Sequence, residues 1–464
     1  MSAETAEAIK DLWQGLGAAP EALARLQLSG EEPLLPSSFK VGLAAQACLG
    51  AAALMASELL RLRSGRAAEV SVSMRHALAE FRSERYLTVD GASPADLFDK
   101  IAGAYRCGDG RWVRLHTNFP HHRSGMLDLL GCDYAREAVA EALLAWEGEA
   151  FEAAAVERGL CMGLMRSFEE WDAHPQAAAL RALPLVQIER IGGAPPEPLP
   201  PAERPLAGVK VLDLTRVIAG PVAGRCLAAH GAEVLRVAGA HLPFMPPLVI
   251  DSGRGKRSCH LDLREAEGAE ALDRLLEDAD VFVQSYRPGA LAAKGFGPEA
   301  VAAKRPGIVH ASLSAYGEVG PWASRRGFDS LVQTATGFNR AEAEAAGEET
   351  PKALPCQVLD HGSGYLLALG IMVALARRAE EGGSWSVRVS LARSGHWLRS
   401  LGRQNALDTA DMPREALSDL LEESQSPFGR ISAISHAGRI EGAPPAWQLP
   451  PVPLGSHPAR WRSA

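Results

Sequence analysis

Gly208 to Gly239 read "GVKVLDLTRVIAGPVAGRCLAAHGAEVLRVAG", an alternation of strand, helix and strand. "GVKVLDLT" is aliphatic and short, as a buried strand should be. "GPVAGRCLAAHGA" reads as a helix with Pro221 near its first position and Gly231 at its end. "EVLRVAG" returns to strand. The alternation continues through "RSCHLDL", the amphipathic "EGAEALDRLLEDA", and the strands "DVFVQSY" and "GIVHASLSAYG". Strands separated by helices predict an α/β large domain with a largely parallel sheet, from Pro205 to about Ser394. In such sheets ligands collect at the carboxyl ends of strands. Those ends here are "DLTRVIAGP", "SYRPG" and "SLSAYGEVGP", all polar and rich in Gly or Pro. None is a GxGxxG fingerprint or a P-loop, so a nicotinamide or ATP site has no support.

Outward from this region the chain repeats itself. "GAAALMASELLRLRSGRAAEVSVSMRHA" (Gly50 to Ala77) is similar to "LLALGIMVALARRAEEGGSWSVRVSLARS" (Leu366 to Ser394): an apolar helix, a basic turn with Gly, then an alternating strand. Two Pro-rich segments also match, "GGAPPEPLPPAERPLAG" (Gly192 to Gly208) and "EGAPPAWQLPPVPLGSH" (Glu441 to His457). The expected divisions are 1–77, a half-copy of helix and strand; 78–200, a small domain and linker; 205–400, the large domain; and 401–464, a segment returning to it. The small domain is expected within Leu78 to Leu185.

The chain has 464 residues and a net charge of −8, which argues against a nucleic-acid partner. Cys48, Cys107, Cys132, Cys161, Cys226, Cys259 and Cys356 are dispersed, without metal-ligand spacing, and read as reduced thiols in cytoplasm. "MSAETAEAIKDLW" does not have the pattern of a signal peptide. "VGLAAQACLGAAALMA" (Val41 to Ala56) is short for a membrane span and reads as a buried helix. No membrane partner and no metal are expected.

One acid stands in an otherwise apolar run, "LPCQVLDHGSGYLLALG" (Leu354 to Gly370). Asp360 lies at the mouth of an expected helix from Gly364 to Leu375. It reads either as an N-cap or as a nucleophile. In the first repeat Leu43 stands opposite it, and no acid occurs from Pro33 to Ser57, so one active centre per chain is expected.

The segments "GVKVLDLTRVIAGPVAGRCLAAHGAEVLRV", "RGKRSCHLDL", "DADVFVQSYRPGALAAKGFG", "IVHASLSAYGEVGPWASRRGFDSLVQTATG" and "VLDHGSGYLLALGIMVAL" together resemble the family III CoA-transferases. That family includes formyl-CoA and carnitine CoA-transferases and 2-methylacyl-CoA racemases. The first part of the chain, with "YRCGDGRWVRL" and "WDAHPQAAAL", resembles the family's second half, so the order is rearranged or partly duplicated. The resemblance implies a Rossmann-like large domain and a smaller α+β domain. It makes Asp360 the nucleophile, forming anhydride and aspartyl-CoA thioester intermediates, with the Gly362–Gly364 run supplying oxyanion donors. It implies acyl-CoA and a small carboxylic acid as substrates, with no tightly bound cofactor. It places Arg264 and Arg287 on the CoA phosphates, Ile218 and Ala219 on the pantetheine arm, and Ser285 and Tyr286 on the nucleotide. Tyr316 is expected on the acyl side, and Leu261 and Ser314 complete the CoA set.

Departures from the family pattern fall at Ala238, Gln284 and Ala293, where charged residues are usual. Phe328 replaces the histidine a racemase needs to move its proton, and Asp329 beside it reads as structural. Ile218 stands where formyl-CoA transferases tend to carry Gln. The alternatives to a transferase are a non-catalytic acyl-CoA-binding or scaffold protein and, behind it, a racemase. Family members are interlocked dimers; the duplicated segment implies a pseudo-dimeric monomer or a homodimer.

Overall fold

A computed structural model describes residues 3–94 and 97–462. The expected segments 1–77, 78–200 and 401–464 each include positions outside it: 1–2, 95–96 and 463–464.

Seven strands form the main sheet: β1 (Gln187–Gly192), β2 (Lys210–Leu214), β3 (Glu233–Ala238), β4 (Lys256–His260), β5 (Val281–Gln284), β6 (Val309–Ser314) and β7 (Ser384–Ser390). Their order across the sheet is β4-β3-β2-β5-β6-β7-β1. All neighbours are parallel except β7 with β1. β2 and β5 pair directly, Val211 opposite Val281 and Leu214 opposite Gln284. The chain turns one way from β2 and the other way from β5, which opens a crevice over their carboxyl ends. β5 and β6 are buried over their whole length, as parallel strands covered on both faces must be. Inside this core Lys256 on β4 donates to Asp213 of β2 at 2.7 Å and to the Pro221 carbonyl at 2.7 Å. That charge pair ties the loop after β2 to the sheet.

Three helices set the position of the site: α1 (Val41–Ser64), α2 (Ala219–Ala229) and α3 (Val358–Glu381). α3 lies on the sheet and packs against both α1 and α2. Glycines allow it. A methyl group on Gly364 would meet the Ala219 carbonyl oxygen at 2.5 Å, and one on Gly370 would meet Val387 of β7 at 2.6 Å. α1 and α3 are both 24 residues long, with mean hydropathy 1.5 over their most apolar window. Each is long and apolar enough to cross a membrane, yet that window is wholly buried in both, as in core helices. The expected start of α3 at Gly364 is corrected to Val358. One distant side chain, Asp329, accepts its first N–H groups, so the helix needs no local capping motif there.

The surroundings of α1 and α3 are alike. β7 has β6 as a parallel neighbour and β1, from earlier in the chain, as an antiparallel one. After α1 the strand Val70–Ser73 pairs in parallel with Leu26–Ser29 and antiparallel with Arg439–Ile440, from the far end of the chain. Leu43 and Asp360 are each the third residue of their helix.

A separate three-stranded antiparallel sheet is built from Gly103–Arg106, Trp112–Leu115 and Met162–Leu164. Helices Pro120–Leu130, Arg136–Leu143 and Gly148–Glu157 complete it around a core that includes Tyr105, Val113, Val139 and Phe151. The C-terminal segment runs back over the large domain. His457 donates its N–H to Ser258 of β4 at 2.7 Å, and the Trp461 indole donates to the Leu275 carbonyl.

Gly362 and Gly364 lie two residues apart on α3 but differ in crowding. Gly364→Ala is expected to cost about 1–3 kcal/mol, because its methyl group collides with backbone. At Gly362 the nearest atom to an added methyl is the Cys48 sulfur at 3.8 Å. Gly362→Ala should be neutral or stabilising by up to about 1 kcal/mol through helix propensity. Chemical denaturation of the two variants checks the contrast.

Candidate active site

Asp360 sits in the first turn of α3, and its side chain makes no capping bond. The cap comes from Asp329, whose Oδ2 accepts the Asp360 N–H at 2.8 Å. The Leu359 N–H also donates to the Asp329 carboxylate. The Gln333 side-chain amide donates to the other oxygen of Asp329 and holds it in place. The N-cap reading of Asp360 is therefore corrected. With Asp329 serving the helix donors, the Asp360 carboxylate has no hydrogen bond among the described residues, is 8% exposed and lines an open cleft. Gly362, Ser363 and Gly364 lie within α3, where the helix ladder occupies their N–H groups. They are corrected as oxyanion donors.

Three carboxyl groups crowd this point. Burial pushes the Asp360 carboxyl well above the usual carboxylate range, and the charges of Asp329 and Glu84 add to the effect. Burial also raises Asp329, to about 6, against the hydrogen bond from the Asp360 N–H. Burial alone would raise Glu84, but the His361 ring, with Nε2 3.0 Å away, holds it below its ordinary value. A carboxylate that is costly to ionise and has no hydrogen bond is a strong nucleophile once its proton leaves.

The cleft holds about 420 Å³ and lies over the carboxyl ends of β2, β5 and β6. Of the residues expected from the sequence, Ile218, Ala219, Ser285, Tyr286, Arg287, Ser314 and Asp360 line it. Leu261 and Arg264 line an adjoining groove, which shares Leu242, Tyr286 and Ala290 with the cleft. Arg264 there pairs with Asp262, Nη2 to Oδ2 at 2.6 Å. Tyr316 is corrected: it is 1% exposed, packs edge-on against Trp322 and does not reach the cleft. The small residue Gly327 lets Tyr316 close up behind the wall, since a methyl group there would meet the Tyr316 ring at 2.9 Å.

Val217, between two cleft residues, has φ +72°. A β-branched residue in the left-handed region stores about 1–3 kcal/mol of strain, which marks a loop held for its shape. Its neighbour Arg216 donates to the Pro243 carbonyl and lies over the Phe119 ring of the small domain, 5.4 Å from its centroid.

The small domain supplies a wall that the sequence reading did not anticipate: His121, His122 and Cys161. The signal was the adjacent pair in "NFPHH", directly after a strand. Cys161 Sγ is 3.4 Å from His122 Nε2. Burial pushes this thiol up to about 12, so it stays protonated and does not act as a nucleophile. Burial, His121 and the nearby arginines lower His122 to about 4. His116 stacks on Phe328 with ring centroids 3.8 Å apart, and burial lowers it to about 3. These rings are neutral near pH 7.

The sheet and cleft define an open α/β protein with a buried acid at the meeting point of its strand-end loops. Residues 206–430 match the family model described as CoA-transferase family III. The chain is 34% identical over 328 residues to an acyl-CoA transferase of Gibberella moniliformis, covering 65% of this chain and 57% of the relative. It is 34% identical over 201 residues to a probable fatty acyl-CoA transferase of Mycobacterium tuberculosis, covering 40% and 50%. It is 32% identical over 191 residues to the succinyl-CoA:glutarate CoA-transferase of Homo sapiens, covering 39% and 43%. The segment 206–430 is thus similar to CoA-transferase family III. It spans about half the length of the curated relatives it matches.

The raised Asp360 carboxyl gives a signed prediction. The folded protein keeps this proton above the pH at which the unfolded chain releases it, about pH 4. Stability from this group is thus present at low pH and lost as pH rises. Asp360→Asn cannot titrate, so it should melt higher than the parent at pH 7–8, and the gain should vanish below about pH 4. Melting temperatures of both proteins across that range check it.

Proposed function

We propose that the protein transfers coenzyme A between carboxylic acids through Asp360. One observation carries this reading: a buried carboxylate free of hydrogen bonds among the described residues, held by its own backbone at the cleft floor. The carboxylate attacks the thioester carbonyl of an acyl-CoA; a C–O bond forms, the C–S bond breaks, and CoA leaves as thiolate. The thiolate then attacks the aspartyl carbonyl of the mixed anhydride, releasing the first acid and leaving an aspartyl-CoA thioester. The acceptor carboxylate attacks that thioester, and the returning thiolate takes the new acyl group and frees Asp360. Covalent catalysis replaces one difficult exchange by easier steps.

The six parallel strands, counted from β2, run in a Rossmann-like 3-2-1-4-5-6 order, and the CoA lies at their switch point. Ile218 and Ala219 border the pantetheine arm, and the groove with Leu261, Arg264 and Lys294 takes the nucleotide end. Its phosphates compete with Asp262 for Arg264. No tightly bound cofactor is needed. The free state of all seven cysteines supports a cytoplasmic setting.

We also read α1 and α3 with their flanking strands as an internal duplication. The divisions are 1–77, 78–200, 205–400 and 401–464. One chain thereby supplies both halves of what is elsewhere an interlocked dimer, with one active centre because Leu43 replaces the acid. Sedimentation should show a monomer, or a dimer that dissociates without unfolding; an obligate dimer that parts only on denaturation would count against this.

Asp360→Asn and Asp360→Ala should each lower CoA exchange by several orders of magnitude, as loss of a nucleophile does. Both should fold, since Asp329 and not Asp360 caps the helix. Incubation with acyl-CoA and hydroxylamine should leave a hydroxamate on Asp360, read by mass spectrometry. Exchange at the parental rate in Asp360→Asn, or no hydroxamate with any acyl-CoA, would leave a binding protein instead of a transferase.

A further inference from the structure

Three side chains that take no part in the cleft meet in the core: Cys226 on α2, His230 just past its end, and His436 from the C-terminal segment. Each is at most 2% exposed. Their ligand atoms all lie within 4.8 Å of one another, the one such group of three among the described residues. Cys226 and His230 are four residues apart, and the His230 N–H reaches the Cys226 carbonyl at 3.3 Å, so both project from one face of the same turn. His436 follows the strand Gly429–Ile434 and is held there by its neighbour, since the Ala437 N–H donates to Glu80 at 2.6 Å. Spacing along the chain hides the set, because its third member arrives from the far end of the sequence.

Unmet hydrogen bonding sets this cluster apart. A neutral imidazole carries one N–H and one lone pair, and burying either without a partner forfeits its hydration. His116, His310, His361 and His436 each have one buried ring nitrogen without a hydrogen bond; His230 has two. In His436 the unbonded atom is Nε2, because Nδ1 accepts the Gly438 N–H at 3.1 Å. Three of the four ring nitrogens at this point therefore lack partners, beside a buried free thiol. The two rings stand edge to face with centroids 5.3 Å apart. Two imidazoles on one tetrahedral zinc ion, with Zn–N of about 2.0–2.1 Å, have centroids roughly 5 Å apart.

We propose that Cys226, His230 and His436 bind a zinc ion that joins the C-terminal segment to α2. The Cys226 thiol releases its proton to solvent as the Zn–S bond forms, and each ring gives a lone pair. Coordination through His436 Nε2 moves that ring's proton to Nδ1, which lies 4.0 Å from Glu80 Oε2. Glu80 then orients the ring in place of the Gly438 N–H, as carboxylates do behind zinc-bound histidines. It also balances the positive charge that one thiolate leaves on the ion, while Arg225 alongside is neutralised by Asp251 at 2.6 Å. Water fills the fourth tetrahedral position. None of the three ligands lines the cleft, so the ion is structural. It clamps the end of α2 opposite the one that places Ala219 and Gly220 at the cleft floor. A site this deeply buried is loaded as the chain folds. The proposal does not depend on the transferase reading, and CoA exchange is not a measure of it.

Full-length protein produced in zinc-supplemented medium and dialysed should retain about one zinc per chain, counted by plasma mass spectrometry. Cys226→Ser and His230→Leu should each fall below about a tenth of that, while Cys132→Ser, at a half-buried cysteine of the small domain, should match the parent. Production with cobalt in place of zinc should give a thiolate-to-cobalt charge-transfer band in the near ultraviolet and tetrahedral bands in the visible, both lost in Cys226→Ser. His230→Leu separates the alternatives by melting temperature. A ring merely left unpaired in the core would be relieved by leucine, so the variant would melt above the zinc-grown parent and overturn the proposal. A ring on zinc is lost together with its ion, so the variant should melt below that parent, at the temperature of parent grown without zinc or lower. Less than about a tenth of a zinc per parent chain, with no cobalt spectrum, overturns the proposal without reference to any variant. Zinc content unchanged in both Cys226→Ser and His230→Leu overturns it as well.

Discussion

The Asp329 carboxylate, taking the N–H groups of Leu359 and Asp360, is the interaction on which the site depends. It begins α3 six residues earlier than local sequence alone would place it. It fixes the Asp360 backbone against the loop that carries Phe328, and it leaves the Asp360 side chain without a structural duty. A carboxylate that capped its own helix would be partly neutralised by the donors it served. Delegating the cap to a second acid keeps the first one reactive. The same arrangement places a second negative charge beside the nucleophile, so reactivity and repulsion come from one contact.

The first-half helix shows what that contact does when chemistry is absent. Glu32 accepts the Leu43 N–H at 2.8 Å at the start of α1, as Asp329 accepts that of Asp360 at the start of α3. The capping acid is present at both helices, but the third residue is Leu at one and Asp at the other. Leu43 is buried at 2% exposure, and Phe39 and Phe338 close around the helix start with ring centroids 4.9 Å apart. The helix-start geometry is therefore a property of the packing, and the acid at the third position is a separate addition to it.

Much of the large domain was legible because its information is local. β2 to β6 and the helices between them carry strong periodicity and turn residues, and their order follows from alternation alone. The floor of the cleft was legible for the same reason, since Ile218, Ala219, Ser285 and Arg287 stand on strand-end loops. Asp360 needed the resemblance, because a lone acid at a helix start fits a cap equally well. What could not be read was contact across the chain. The bond from Asp329 to α3 and the placing of His121 and His122 against the cleft both join residues far apart in sequence. Tyr316 failed differently: its motif sits at the right loop, but Gly327 allows the ring to fold behind the wall.

The burial of α1 against α3 also bears on how the chain reaches this structure. Most of the chain separates Ser64 from Val358, so the first of these apolar helices is synthesised long before its partner exists. Contacts between distant segments form late and slowly, and apolar surface exposed meanwhile favours aggregation. The apolar surface that each helix buries in the finished core is therefore uncovered while the N-terminal half is nascent, so yield during expression should be sensitive to temperature and to the rate of translation through the second half.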